Sequence, residues 1–281
     1  MNFHSINSHA FNKKKVVFIM GATGTGKTRL SLDLAAHFPA EIINSDKIQV
    51  YKGLDIVTNK VSEMDRRGVA HHLLGEVDPE TDFTARDFCL HALNAIDMIV
   101  RSGKVPIVIG GSNSYVEALV EDHFFKFKRQ YDCCFLWADV VLPVLNSFVS
   151  KRVDEMVSAG LVEEVRGMFM PGADYTRGIR RAIGVPELDS YFRAEMGVKM
   201  DMKSKEVLLR AAIDEIKTNT HKLVLSQSAK IQRLRKELGW LMHRLDVTPV
   251  FEKCGDEADR EWEKAVLGPS LEIVGEFLNG N

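Results

Sequence analysis

Eight consecutive residues near the start of the chain have the types and spacing of a phosphate-binding loop, G-x-x-x-x-G-K-[ST]. A β-branched run at 16–20 precedes them, and a stretch with helical spacing follows them. Glycines let successive backbone N–H groups face one anion, and a helix N-terminus adds partial positive charge. Lys27 adds a full charge, and the Thr28 hydroxyl can ligate Mg²⁺. We predict a cradle for a phosphorylated ligand, with Mg²⁺ as cofactor, built from Gly21, Ala22, Thr23, Gly24, Thr25, Gly26, Lys27 and Thr28.

Asp46 follows the second predicted strand, residues 41–44. In an open parallel sheet, this position lies at the carboxyl edge, beside the cradle. A carboxylate there could hold a ribose, hold Mg²⁺ through water, or take a proton from an approaching nucleophile. The alternative is that Asp46 caps the next helix. We favour a functional role, and we include its neighbours Ser45 and Gln49 as candidate substrate-binding residues.

Two further strand ends carry polar side chains. The strand predicted at 105–109 runs into Gly110-Gly111-Ser112, where the Ser112 hydroxyl suits a second phosphate contact. A simple glycine turn with a serine N-cap is the alternative. The strand predicted at 132–138 closes on Asp139, which could ligate a metal ion, although an acidic residue at a strand end is common.

Strands and helices alternate through the first half of the chain, a pattern that predicts a parallel sheet. Helical patterns dominate from 143 to 238, including a long helix at 205–236, and a short strand and a final helix are predicted over 250–281. We expect an α/β fold with a P-loop NTPase-like parallel sheet core and a helical second lobe. We expect a disordered N-terminus or transit-peptide remnant at 1–14, the core at 15–142 and the helical lobe at 143–238. Part of the long helix of the lobe could return to the core. Residues 239–281 are expected to form a C-terminal segment that packs on the core.

Composition narrows the class of protein. Of the 281 residues, 45% are hydrophobic and 27% charged, which excludes a disordered chain. The net charge of −2 provides no overall basic field for nucleic acid. The four cysteines form no C-x-x-C pair, so we expect no zinc knuckle, and no apolar run approaches the ~18 residues of a membrane span. We expect a monomer with neither nucleic-acid nor membrane partners.

Five segments, taken in order, carry a family resemblance: GATGTGKT, SDKIQVYKGLD, IVIGGSNSY, RVDEMVSAGLVEEV and RRAIGVPEL. They resemble the isopentenyltransferase family, which includes tRNA dimethylallyltransferases, over most of residues 15–240. YKGLDIVTNK and YDCCFLW are similar to the plant adenylate isopentenyltransferases that make cytokinins. The resemblance implies transfer of a dimethylallyl group from dimethylallyl diphosphate to the N6 amine of an adenine nucleotide, with release of diphosphate.

The resemblance also implies residue roles. The cradle would hold the diphosphate of the prenyl donor, and Asp46 would be the general base. Ser112 would lie near the leaving group, and Arg181 would neutralise the departing diphosphate. Three side chains of the predicted long helix could reach the phosphates of the acceptor, although a surface lysine usually has no binding role. These residues are Lys217, Asn219 and Lys222.

Alternatives remain at this point. A tRNA dimethylallyltransferase would share the catalytic residues, but the net charge and the absence of a zinc finger argue against it. A P-loop kinase of small metabolites and a non-catalytic nucleotide-binding protein are further alternatives. Among acceptors, ADP and ATP are favoured over AMP by resemblance. We expect a plastid location, with the cytosol as the alternative.

Overall fold

The computed structural model describes residues 13–197 and 201–280. The segment predicted at 1–14 therefore lies almost wholly outside the described residues. No helix in the described ranges is both long and apolar enough to cross a bilayer.

The described residues contain one parallel sheet of six strands, which confirms the predicted α/β fold class. The order across the sheet is β3-β2-β4-β1-β5-β6, so β1 lies between β4 and β5. Residues of β1 alternate between two hydrophobic cores, with Phe18 facing one side of the sheet and Ile19 the other. Both side chains are almost fully buried, as expected when helices cover both faces of a parallel sheet. The strands are β1 (Lys14–Met20), β2 (Ala40–Asn44), β3 (His71–His72), β4 (Val105–Ile109), β5 (Tyr131–Asp139) and β6 (Met242–Asp246).

Helices pack on both faces of the sheet. The α-helices are α1 (Lys27–His37), α2 (Ala85–Arg101), α3 (Asn113–Glu121), α4 (Phe127–Gln130), α5 (Leu142–Ser158), α6 (Leu161–Arg166), α7 (Asp189–Met196), α8 (Met202–Glu237), α9 (Thr248–Phe251), α10 (Gly255–Trp262) and α11 (Gly268–Asn279). Short 3₁₀ turns lie at Gly178–Arg181 and Pro186–Leu188, and a π-helical turn, Glu263–Leu267, joins α10 to α11.

Most predicted elements agree with the structure to within a few residues. Thr84 caps α2, and its hydroxyl accepts a hydrogen bond from the N–H of Asp87, whose carboxylate accepts one from the N–H of Thr84. The long helix α8 packs on α5 and also on α3 beside the sheet. The domain divisions stay a prediction.

The strand predicted at the start of 250–281 is wrong. The last strand, β6, lies earlier, and residues at 248–251 form the short helix α9 instead. Pro249 explains the difference, because proline is well suited to the first turn of a helix and lacks the N–H that a strand interior would need. The predicted final helix is present as α11.

Candidate active site

The predicted cradle is the loop between β1 and α1. Gly24 and Gly26 both have φ of +87°, a conformation that strains any residue with a β-carbon. At Gly26, a β-carbon would also lie 2.9 Å from the ring of Trp262. No side chain caps the first turn of α1, and the turn carries no acidic residue. Its backbone N–H groups and partial positive charge therefore suit an anionic ligand.

Lys27 extends into this loop. Its Nζ donates a hydrogen bond to the carbonyl of Ala22 at 2.6 Å. Burial lowers the pKa of Lys27 to about 8; the nearby Asp46 carboxylate works against that decrease, whereas the Arg152 guanidinium adds to it. A bound anion would favour the protonated lysine.

Asp46 lies just beyond the end of β2. Its Oδ1 accepts hydrogen bonds from the N–H groups of Ile48 at 2.9 Å and Gln49 at 3.4 Å, so the side chain stabilises the turn that follows. Its Oδ2 lies close to Gly111, where a β-carbon would be 3.3 Å away. Asp46 thus caps a turn and not a helix, as the alternative had it, and this interaction occupies one of the two carboxylate oxygens.

A cavity of about 250 Å³ opens at the carboxyl ends of β1, β2 and β4. Lys27, Thr28 and Asp46 line it together. A second cavity of about 230 Å³ continues from it, with mainly apolar walls that include Ile216, and with Arg181 at its edge. The two cavities share Thr23, Asp46, Gln49, Asn59 and Arg152. The site thus combines a cationic end for phosphates, a carboxylate and an apolar compartment.

Several predicted residues build the frame of this site. Thr25 is buried, and its hydroxyl donates to the carbonyl of Ala22 at 2.9 Å. Ser45 is buried beneath Gly110, where a β-carbon would lie 2.5 Å from its Oγ. The Gln49 side-chain amide donates to the carbonyls of Thr58 at 2.9 Å and Asn59 at 3.2 Å, and so holds that loop in place. Gly21 and Ala22 are also buried in the frame of the loop.

Arg181 lines the second cavity, whereas Ser112 lines neither cavity, and both side chains make contacts within the protein. The Ser112 Oγ accepts a hydrogen bond from the Lys47 N–H at 3.0 Å. The Arg181 guanidinium donates to the Tyr51 hydroxyl at 3.3 Å and to the carbonyl of Gly178 at 3.2 Å.

The three predicted residues of the long helix do not line either cavity. Lys217 Nζ pairs with Asp154 at 2.6 Å. Asn219 donates to Glu187 at 2.7 Å and accepts from Lys222 Nζ at 3.1 Å. Their predicted contact with acceptor phosphates gains no support from this placement and stays a prediction.

Asp139 lines neither of the two cavities. Its Oδ2 accepts from Arg244 Nε at 2.7 Å, an ion pair that raises the pKa of the arginine. Among the described residues, no group of three or more His, Cys, Asp or Glu side chains could hold a metal ion.

Two residues of the site were missed by the sequence interpretation. Arg152 on α5 donates to the Thr23 hydroxyl at 2.9 Å. Gln227 on α8 accepts from the Thr23 N–H at 2.8 Å and donates to the Gly111 carbonyl at 3.0 Å. A signal for Gln227 exists, because it lies in register with the buried positions Val224 and Ile231 of its helix. A polar residue within an apolar stripe needs a partner and so indicates a specific contact.

Comparisons with known proteins agree on one family. The model of the IPP transferase family matches residues 49–130 and 123–233. Adenylate isopentenyltransferase 5, chloroplastic, of Arabidopsis thaliana is 58% identical over 95% of this chain and 81% of its own length. Adenylate isopentenyltransferase 7, mitochondrial, of the same plant is 54% identical over 99% and 84%. The solved structure of a eukaryotic dimethylallyltransferase acting on tRNA has a TM-score of 0.78 at 22% identity, covering 95% of this chain and 80% of that one, and shows a likeness of fold.

Proposed function

The chain belongs to the IPP transferase family, and from that premise we propose that it transfers the dimethylallyl group of dimethylallyl diphosphate to the N6 amine of an adenine nucleotide. Diphosphate is released, and the reaction is the first step of cytokinin biosynthesis. The observation that carries the proposal is that Lys27 and Asp46 line one cavity, which continues into an apolar compartment. A diphosphate and a nucleophile can therefore meet there.

The donor diphosphate binds the cradle. Its negative charge meets the Lys27 ammonium and the free N–H groups at the start of α1. As the allylic C–O bond breaks, negative charge grows on the bridging oxygen. Cationic groups and amides fixed in advance stabilise that charge without reorganising, and each such donor is typically worth ~3 kcal/mol. Arg181, at the edge of the second cavity, and the Ser112 hydroxyl are proposed to take part.

The acceptor adenine lies in the apolar compartment with its N6 amine towards Asp46. This amine is a poor nucleophile because its lone pair is delocalised into the ring. A carboxylate that accepts a hydrogen bond from N6–H orients the amine and takes its proton as the new C–N bond forms. The Asp46 Oδ2 is the oxygen available for this role, since Oδ1 holds the turn.

Mg²⁺ is the proposed cofactor, and the residues present fit it. Thr28 offers a hydroxyl in the cavity that takes the diphosphate, and Mg²⁺ commonly binds one or two protein oxygens together with substrate phosphates and waters. The ion would neutralise part of the diphosphate charge.

The acceptor and the compartment are proposed from the relatives. The relatives named adenylate isopentenyltransferase support a free adenine nucleotide as acceptor. Within that class we propose ADP and ATP over AMP. Two relatives named as chloroplastic support a plastid location, and a third is named as mitochondrial. Imaging a fluorescent fusion of the protein in plant cells would distinguish the two compartments.

The test is to incubate the protein with dimethylallyl diphosphate, Mg²⁺ and ATP, and to analyse the products by mass spectrometry. The proposal predicts N6-prenylated nucleotide and free diphosphate. Formation of ADP from ATP without prenylation would indicate a kinase, and no turnover would indicate a non-catalytic protein. Adding unmodified tRNA as a competing acceptor separates the remaining alternative, because a tRNA-modifying enzyme would prenylate the RNA instead.

A further inference from the structure

Asn59 lies where the cavities of the site meet. It lines the cradle cavity and the apolar cavity, as Asp46 does, and it also lines a third cavity of about 720 Å³. Gln49 connects the two residues. Its backbone N–H donates to the Asp46 carboxylate at 3.4 Å, and its side-chain amide donates to the Asn59 carbonyl at 3.2 Å. Asn59 is therefore held beside the proposed general base.

The backbone of Asn59 has a left-handed conformation, with φ of +50°. Asparagine adopts this conformation more readily than most residues with a β-carbon, so the turn alone is one explanation for its presence. The turn is braced by Glu164, whose carboxylate accepts from the N–H groups of Ile56 at 3.0 Å and Val57 at 2.8 Å. Asn59 is exposed, and its backbone N–H and carbonyl are both used. Among the described residues, no hydrogen bond engages its side-chain amide.

A side-chain amide is the group that suits adenine. Its NH₂ donates to N7 while its oxygen accepts from the N6 amine, so one planar group contacts both positions of the base. Among the described residues that line the apolar cavity, two carry such an amide, Gln49 and Asn59. The Gln49 amide already donates to two carbonyls. The hydroxyls of Thr58 and Thr220 each donate to the carbonyl four residues earlier. The amide that is left for a ligand belongs to Asn59.

We propose that the Asn59 side-chain amide recognises the acceptor base, donating to N7 of the adenine and accepting from one hydrogen of its N6 amine. This inference rests on the proposed function, and it adds a residue that determines specificity. The other N6 hydrogen faces Asp46, which takes it as a proton when the C–N bond forms and the C–O bond of the donor breaks. The hydrogen that Asn59 holds stays on N6. The base is thereby fixed with its amine towards the carboxylate.

The experiment pairs variants of Asn59 with 7-deaza-ATP, in which a C–H group replaces N7 and the N6 amine is retained. Steady-state prenylation gives the KM for each nucleotide and for the prenyl donor, and thermal melts report on folding. The variants are Asn59→Gly and Asn59→Asp, because both residues accept a positive φ and so keep the turn. Lys126→Gly is the matched control, since Lys126 also has φ of +50° and lines none of these three cavities.

For the wild type, the KM for 7-deaza-ATP should be about tenfold higher than the KM for ATP, within the range expected of an amide that contacts adenine. Asn59→Gly should have equal KM values for the two nucleotides, with the KM for the prenyl donor and the melting temperature near those of the wild type. Asn59→Asp should prefer 7-deaza-ATP, because its carboxylate and the N7 lone pair repel each other. Lys126→Gly should keep the wild-type ratio.

A tenfold preference for ATP that persists in Asn59→Gly would overturn the inference, because Asn59 would then serve the turn alone and another group would contact N7. Equal KM values for the two nucleotides in the wild type would also overturn it. Failure of the proposed function looks different. In that case the wild type forms no N6-prenylated nucleotide from ATP, and the inference falls with it.

Discussion

The side-chain oxygen of Gln227 accepts a hydrogen bond from the backbone N–H of Thr23 at 2.8 Å, across 204 positions of sequence. The amide group of the same side chain donates to the carbonyl of Gly111 at 3.0 Å. One residue of α8 thus joins the cradle at the end of β1 to the glycine turn at the end of β4. The long helix and the sheet are therefore connected at the site itself.

Replacing Gln227 by leucine should lower the free energy of unfolding by about 2 kcal/mol, because a partly buried N–H and a buried carbonyl lose their partners. Diphosphate affinity should fall as well, since the cradle is no longer held. Urea denaturation and calorimetry measure the two effects. Gln232→Leu, on the same helix, is the control and should change stability by less than about 0.5 kcal/mol. Equal effects of the two substitutions would show that the contacts of Gln227 are unimportant.

Gly26→Ala should destabilise the protein more than Gly103→Ala. Both glycines have positive φ, +87° and +76°, so both substitutions strain the backbone by roughly 1–2 kcal/mol. Only at Gly26 would the new β-carbon clash with a neighbour, the buried ring of Trp262, whereas Gly103 has open space. Thermal melts compare the two variants. Combining Gly26→Ala with Trp262→Phe should recover part of the loss, and equal destabilisation by the two alanines would refute the contact.

Diphosphate affinity should depend on pH through Lys27. In the free protein its pKa is lowered to about 8, and the charged groups around it are Asp46 and Arg152. Below that pH, Lys27 is already protonated, so the affinity should not change with pH. Above it, the lysine must regain a proton on binding, so the Kd should rise by up to about tenfold per pH unit. The ligand to titrate is dimethylallyl diphosphate, because the last ionisation of an organic diphosphate resembles that of a phosphate monoester, at ~6, and is largely complete over this range. Calorimetry at several pH values on either side of that pKa, between about 7 and 9.5, measures how the Kd changes with pH. Lys27→Met should bind weakly, with a Kd that does not depend on pH. If the Kd of that variant still depended on pH, another group would be titrating.

Lys222→Ala tests the predicted contact with the outer phosphates of the acceptor. Lys222 is exposed, and among the described residues its Nζ donates a hydrogen bond only to the neighbouring Asn219. If it also reaches the β- and γ-phosphates, the KM for ATP should rise more than the KM for AMP. Lys151→Ala, at an exposed lysine of α5, is the control. Equal changes in both KM values would make Lys222 a surface residue without a role in binding.

The sequence predicted the parts of the site that local pattern determines. Gly24, Gly26 and Lys27 lie within one contiguous motif, and Asp46 lies at a strand end whose position follows from the parallel sheet. Arg152, Gln227 and Trp262 reach the same loop from helices more than a hundred residues away. Their contacts depend on how the helices pack, which no local spacing encodes. The strand wrongly predicted near 250 failed for a local reason, the proline at 249.

The general-base role of Asp46 is tested most directly by single-turnover prenylation of ATP with Asp46→Asn. Asparagine retains an oxygen that can accept from the Ile48 N–H, so the turn should persist, but it cannot take a proton at neutral pH. We expect substrate affinities and the melting temperature to stay near those of the wild type, while the rate of the chemical step falls by about 10²–10⁴-fold. A near-normal rate, with a lowered melting temperature, would show that Asp46 is a turn cap and would contradict the proposed mechanism.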